Sequence, residues 1–173
     1  MRKLILLGLL ATLSVCPTKQ VYAQEAQQKT EWNTNETVIT ANEHHNSEAV
    51  NFALSKLGYP YSMTRRDSGA AYDCSSLIYY SYKDAGVDLS NHGATTAAEI
   101  ARGISADGKE IAASALQEGD LIFYSFKKNG RYKNISHVAM YIGNGMQVEA
   151  SYGKQEVATR PVSLKGAVMC GRP

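Results

Sequence analysis

The hydrophobic period changes once along this chain, near Ala115. Before that point apolar residues recur at helical spacing; after it they fall into short, strand-length runs. Helices first and antiparallel strands second predict an α+β domain rather than alternating βα units. One helix is expected from Ser47, its N-cap, to Leu57, with Val50, Ala53, Leu54 and Leu57 as the apolar stripe. Gly58 would end it in a left-handed cap, and Tyr59-Pro60-Tyr61 cannot continue it. A second helix is expected from Cys74 to Ala85, stopped by Gly86. A third opens on the capping box Thr96-Ala97-Ala98-Glu99 and stops at Gly103. Strands are expected over 121–126, 136–142, 146–151 and 166–170.

The ends narrow the function classes. Arg2 and Lys3, an apolar run over 4–15 and Val21-Tyr22-Ala23 read as a signal peptide cleaved after Ala23, hence a secreted or cell-wall-associated protein. Residues 24–46 are polar and read as a flexible segment, leaving 47–173 as one domain. Met1–Ala23 holds three basic residues and no acid, so 15 basic residues face 16 acidic ones after cleavage. That balance gives no reason to expect nucleic acid or a stable membrane association as partner. No cluster has zinc-site spacing, His44-His45 read as solvated, and no cofactor or metal is expected. Two cysteines remain after cleavage, Cys74 and Cys170. A disulfide between them is the alternative fate of such a pair in a secreted protein.

A thiol is a useful nucleophile only as thiolate, and a helix N-terminus favours the anion. Cys74 falls in that position, where backbone N–H groups could also hold an oxyanion. Among the histidines, His137 stands on a strand, which fixes its direction. The hairpin supplies a third group. Val138, Met140 and Ile142 face Met146, Val148 and Ala150 only across a three-residue Gly143-Asn144-Gly145 turn with Gly145 left-handed. That register sends Glu149 to the face of His137, diagonally close to it. A two-residue turn would drive the Glu149 carboxylate into the core, which is costly. A carboxylate beside an imidazole can fix its tautomer and stabilise the imidazolium. Cys74, His137 and Glu149 are therefore the expected catalytic residues.

Four stretches in order resemble the NlpC/P60 family of bacterial cell-wall peptidases. They are Gly58-Tyr59-Pro60-Tyr61, Tyr72-Asp73-Cys74-Ser75-Ser76-Leu77, the run from Leu116 to Phe123, and the run from Ser136 to Gly145. The resemblance implies a papain-like core and cysteine-dependent hydrolysis of amide bonds in peptidoglycan stem peptides, often next to D-glutamate. It implies Cys74 as nucleophile, His137 as base, and Tyr61, Asp73 and Ser75 as substrate-binding residues. Two positions depart from the family pattern. Ser76 replaces a glycine, which would narrow the cleft, and Glu149 replaces a neutral His, Asn or Gln. Two further readings stand beside this one: a CHAP-like amidase cutting the sugar–peptide amide, and a catalytically silent wall-binding module.

Overall fold

The computed structural model describes residues 43–173, all within one unit spanning Ala41–Pro173. The expected signal peptide and residues 24–42 of the polar segment lie outside the described residues. Helix α1 is described over 43–55, α2 spans Cys74–Asp84 and α3 spans Ala97–Ala106. Six strands follow: β1 Glu110–Ile111, β2 Leu121–Tyr124, β3 His137–Tyr141, β4 Met146–Ser151, β5 Glu156–Pro161 and β6 Ala167–Gly171. They form one antiparallel sheet in the order β1-β6-β2-β3-β4-β5. The fold class is α+β, as the change of period requires.

Two helix ends differ from expectation. α1 is already helical at Glu43, four residues ahead of Ser47, so residues 43–46 do not belong to a flexible segment. Asn46 explains part of this: its Oδ1 accepts from Tyr82 Oη at 3.0 Å, a tertiary anchor that no local period reveals. Ala49, Val50 and Ala53 form the buried stripe of α1, whereas Leu57 lies past the helix end and is 46 % exposed. Gly58 does adopt the left-handed conformation, φ +79°, and its N–H turns to Val157 of β5. α3 runs through Gly103 to Ala106. The next residue, Ile104, is buried against Gly171, where any Cβ would overlap it, and that burial outweighs the roughly 1 kcal/mol helix penalty of glycine.

One face of the sheet packs on the helices. Leu121 and Phe123 of β2, Val138 and Met140 of β3, and Val148 and Ala150 of β4 meet Leu77, Ile78 and Tyr82 of α2 in the main core. On the other face Ile122, Tyr124, Ala139 and Cys170 form a smaller cluster. β5 and β1 are absent from the sequence expectation. β5 reads Glu-Val-Ala-Thr-Arg-Pro, a half-exposed edge strand with too few apolar positions to show alternation. No helix among the described residues is long and apolar enough to cross a membrane.

Candidate active site

α2 begins where it does because Asp73 closes a reciprocal cap. Its Oδ1 accepts from the Ser76 N–H (2.7 Å) and the Ser75 hydroxyl (3.0 Å), while Ser76 Oγ accepts from the Asp73 N–H (2.9 Å). Arg66 approaches the other carboxylate oxygen at 3.3 Å and donates to Thr95. The helix start is locked from both sides, and Cys74 occupies its first turn. N–H groups there have no intrahelical acceptor, and the macrodipole favours negative charge.

His137 reaches the same place from the sheet. The β3–β4 register is the one the apolar pattern demands, with Met140 opposite Val148 and Tyr141 opposite Gln147. Gly143, Asn144 and Gly145 all take positive φ in the turn. Glu149 thus falls diagonal to His137 on one face, and Glu149 Oε2 lies 2.8 Å from His137 Nε2. Cys74 lines the same cleft as the imidazole. Burial alone would lower the imidazole pKa, but the nearby Cys74 and the bonded Glu149 outweigh it and raise the value to about 9. Burial pushes Glu149 upward, yet hydrogen bonds from His137 and Arg160 prevail and hold it at about 2.

Cys74, His137, Glu149 and Tyr61 line one cleft of about 510 Å³. Its rim carries Met63, Phe126 and Tyr152, each about two-thirds exposed (67 %, 63 % and 72 %), with Lys127 beside them. Tyr61 meets Tyr152 edge-on at 5.5 Å, and burial, with Cys74 and Asp73 nearby, pushes its phenol up to about 12. Asp73 and Ser75 are buried within the helix cap and do not line this cleft. Nor does Ser76 narrow it: Ser76 is fully buried and its hydroxyl belongs to the cap. Cys170 pairs with Ile122 on β2, lies in the smaller cluster with Ile122, Tyr124 and Ala139, and does not line the cleft. Both Cys74 and Cys170 are free thiols.

Three side chains of this site are not among the expected site residues. Arg160 of β5 donates to Glu149 through Nε and Nη2, both at 2.9 Å. Gln147 donates to Glu149 Oε2 at 3.0 Å, and Tyr124 donates to Gln147 at 2.6 Å. Gln147 was legible as a neighbour of Glu149 on the hairpin face, but Arg160 needed β5 to be recognised first. Elsewhere, His44, His45 and Glu48 of α1 bring ligand atoms within 4.8 Å of one another. His44 and Glu48 form an (i, i+4) pair at 3.3 Å, and none of the three lines the cleft.

Comparison with known proteins gives consistent findings. The sequence model of the NlpC/P60 family matches residues 58–168. The chain is 31 % identical over 135 residues to peptidoglycan endopeptidase RipA of Mycolicibacterium smegmatis, covering 69 % of this chain and 24 % of that protein. It is 30 % identical over 115 residues to murein DD-endopeptidase MepH of Escherichia coli, covering 66 % of this chain and 40 % of that one. It therefore spans less than half the length of either relative. Among solved structures, the P60 domain of antigen MAP1204 from M. avium subspecies paratuberculosis superimposes with a TM-score of 0.60 at 26 % identity. That match covers 76 % of this chain and 96 % of that domain.

Proposed function

The chain belongs to the NlpC/P60 family, and from that premise we propose that it is a secreted cysteine endopeptidase cutting amide bonds in peptidoglycan stem peptides. The observation that carries this reading is the convergence of Cys74, His137 and Glu149 on one open cleft, with His137 bonded to Glu149 at 2.8 Å. The names of the two relatives point to the same substrate polymer. The leader at Met1–Ala23 is the proposed export signal.

In this mechanism Cys74 Sγ, as thiolate, attacks the scissile carbonyl carbon. The developing oxyanion turns to backbone N–H groups at the start of α2. His137, as imidazolium, gives its proton to the departing amine and the C–N bond breaks. Neutral His137 then takes a proton from water, whose oxygen attacks the thioester. The C–S bond breaks, the acid product leaves and the thiolate–imidazolium pair is restored. Glu149 holds the ring by Nε2 throughout, leaving the other ring nitrogen for the thiol and the water. The exposed aromatic and apolar rim supports a peptide seated along the cleft, with the bond adjacent to D-glutamate as the proposed site of cleavage.

The test is incubation of residues 24–173 with purified wall fragments, wild type beside Cys74→Ala, with products identified by mass spectrometry. New peptide termini from the wild type alone support the reading. A freed sugar–peptide junction would mean the amidase instead, and identical products from both proteins would mean a binding module. N-terminal sequencing of the exported protein should begin at Gln24; any other start refutes the cleavage site.

A further inference from the structure

We propose that Arg160 is the positioning residue of this site, its guanidinium fork fixing both the plane and the charge of Glu149 so that Oε2 faces His137 Nε2. The inference rests on the Cys74–His137–Glu149 reading above and extends it one residue outward.

A carboxylate held by one imidazole is free to turn, because its terminal torsion is soft. Here both oxygens are pinned. Oε1 accepts from Arg160 Nε and Oε2 from Arg160 Nη2, each at 2.9 Å, and such a two-point contact sets the carboxylate plane. Gln147 adds a third restraint at 3.0 Å. Its amide orientation is set in turn, since Oε1 accepts from Tyr124 Oη. The Tyr124 ring lies 5.8 Å from the Arg160 guanidinium and 5.7 Å from the His137 ring, so one aromatic wall backs both. The fork comes from a paired strand: Arg160 stands opposite Gln147 in the β4–β5 ladder.

Charge gives the reason for an arginine. Glu149 is 4 % exposed. During turnover His137 alternates between imidazolium and neutral imidazole, and in the neutral phase it offers no compensating charge. A buried carboxylate without a cation is strongly disfavoured and tends to take up a proton. Arg160 stays charged in both phases and keeps Glu149 ionised, ready to hold the Nε2 proton again. Other titratable and charged groups facing the pair are Cys74 from α2, Tyr124 from β2, and Tyr61, Lys127 and Tyr152 around the cleft. Lys127 is the other cation lining the cleft, and no bond from it to Glu149 exists among the described residues.

The test compares Arg160→Met, which loses fork and charge, with Arg160→Lys, which keeps only the charge. Two measurements are made: kcat and KM on wall fragments, and the pH profile of iodoacetamide alkylation mapped to Cys74. Arg160→Met should lower kcat by roughly ten- to hundredfold with little change in KM. It should also move both limbs of the alkylation profile to higher pH, because a positive charge beside the ion pair has gone. Arg160→Lys should lower kcat less and leave the limbs in place. In a Glu149→Gln background, Arg160→Met should change kcat far less than in the wild type. Equal losses in the two backgrounds, or wild-type kcat and limbs in Arg160→Met, overturn the proposal. If circular dichroism shows that Arg160→Met does not fold, Arg160→Lys decides: unchanged kcat removes the fork from the mechanism. The alkylation profile judges Arg160 even if the wild type cleaves no wall fragment, an outcome that would sink only the peptidase reading.

Discussion

The two faces of the sheet solve opposite problems. The face under α2 is apolar: Phe123, Val138, Met140 and Val148 are completely buried and make contacts of shape alone. The other face carries Tyr124, His137, Gln147, Glu149 and Arg160, joined by hydrogen bonds and charge. Both faces come from the same strands, and alternate residues of β3 and β4 serve each. Non-directional burial tolerates modest changes of shape, whereas the polar face demands every partner, because a buried unpaired charge is costly. Stability should therefore follow one face and chemistry the other.

Cys74→Ala is the largest break. Hydrolysis of wall fragments should fall by about a thousandfold or more, while the urea midpoint barely moves. A large loss of stability would mean that the thiol also supports the fold. Met140→Ala probes the apolar face and should cost about 2–5 kcal/mol in urea unfolding. Its pH–rate profile should stay that of the wild type; a displaced profile would show that the faces are not separable.

Glu149→Gln acts on the polar face alone. We expect kcat to fall by about ten- to a hundredfold. The alkaline limb of the rate profile, set in the wild type by His137 near 9, should move down toward the ordinary imidazole range. An unmoved limb would remove Glu149 from the pair. The same groups leave a signature in stability. His137 has a raised pKa, so its contribution is complete below about 6.5 and fades as pH climbs through about 9. Glu149 has a depressed pKa, so its contribution is complete above about 4.5 and fades as pH drops toward about 2. The stability difference between wild type and Glu149→Gln should thus be greatest between about 4.5 and 6.5. A pH-independent difference in calorimetric midpoints would contradict it.

Ser76→Ala should give the smallest effect, a loss of roughly 1 kcal/mol from the broken cap with hydrolysis nearly intact. A large activity change would place Ser76 closer to substrate than the fully buried hydroxyl allows.

Particular residues show why some of this was legible in sequence. Glu149 could be set beside His137 because six apolar residues in two strands admit only one register, and a period of two carries every neighbour with them. The start of α2 was legible because a loop gives way at Cys74 to an apolar run of helical period. Arg160 was hidden because β5 buries little and shows no alternation, so its pairing with β4 left no local trace. The early start of α1 was hidden for a related reason, since Asn46 is anchored by Tyr82, 36 residues away. Asp73 and Ser75 could be counted as candidates for the cleft, but only their packing assigned them to the cap.

By itself the sequence determined the α+β class, the helix that presents Cys74 and the hairpin that pairs His137 with Glu149. Each of these follows from a period or a cap that acts within about a dozen residues. Only the tertiary structure decided that α2 and β3 meet at one cleft, that Cys170 stays a free thiol outside that cleft, and that Arg160 closes the charge network. Those contacts join segments with no shared local pattern, and they form only when burial of the common core brings the segments together.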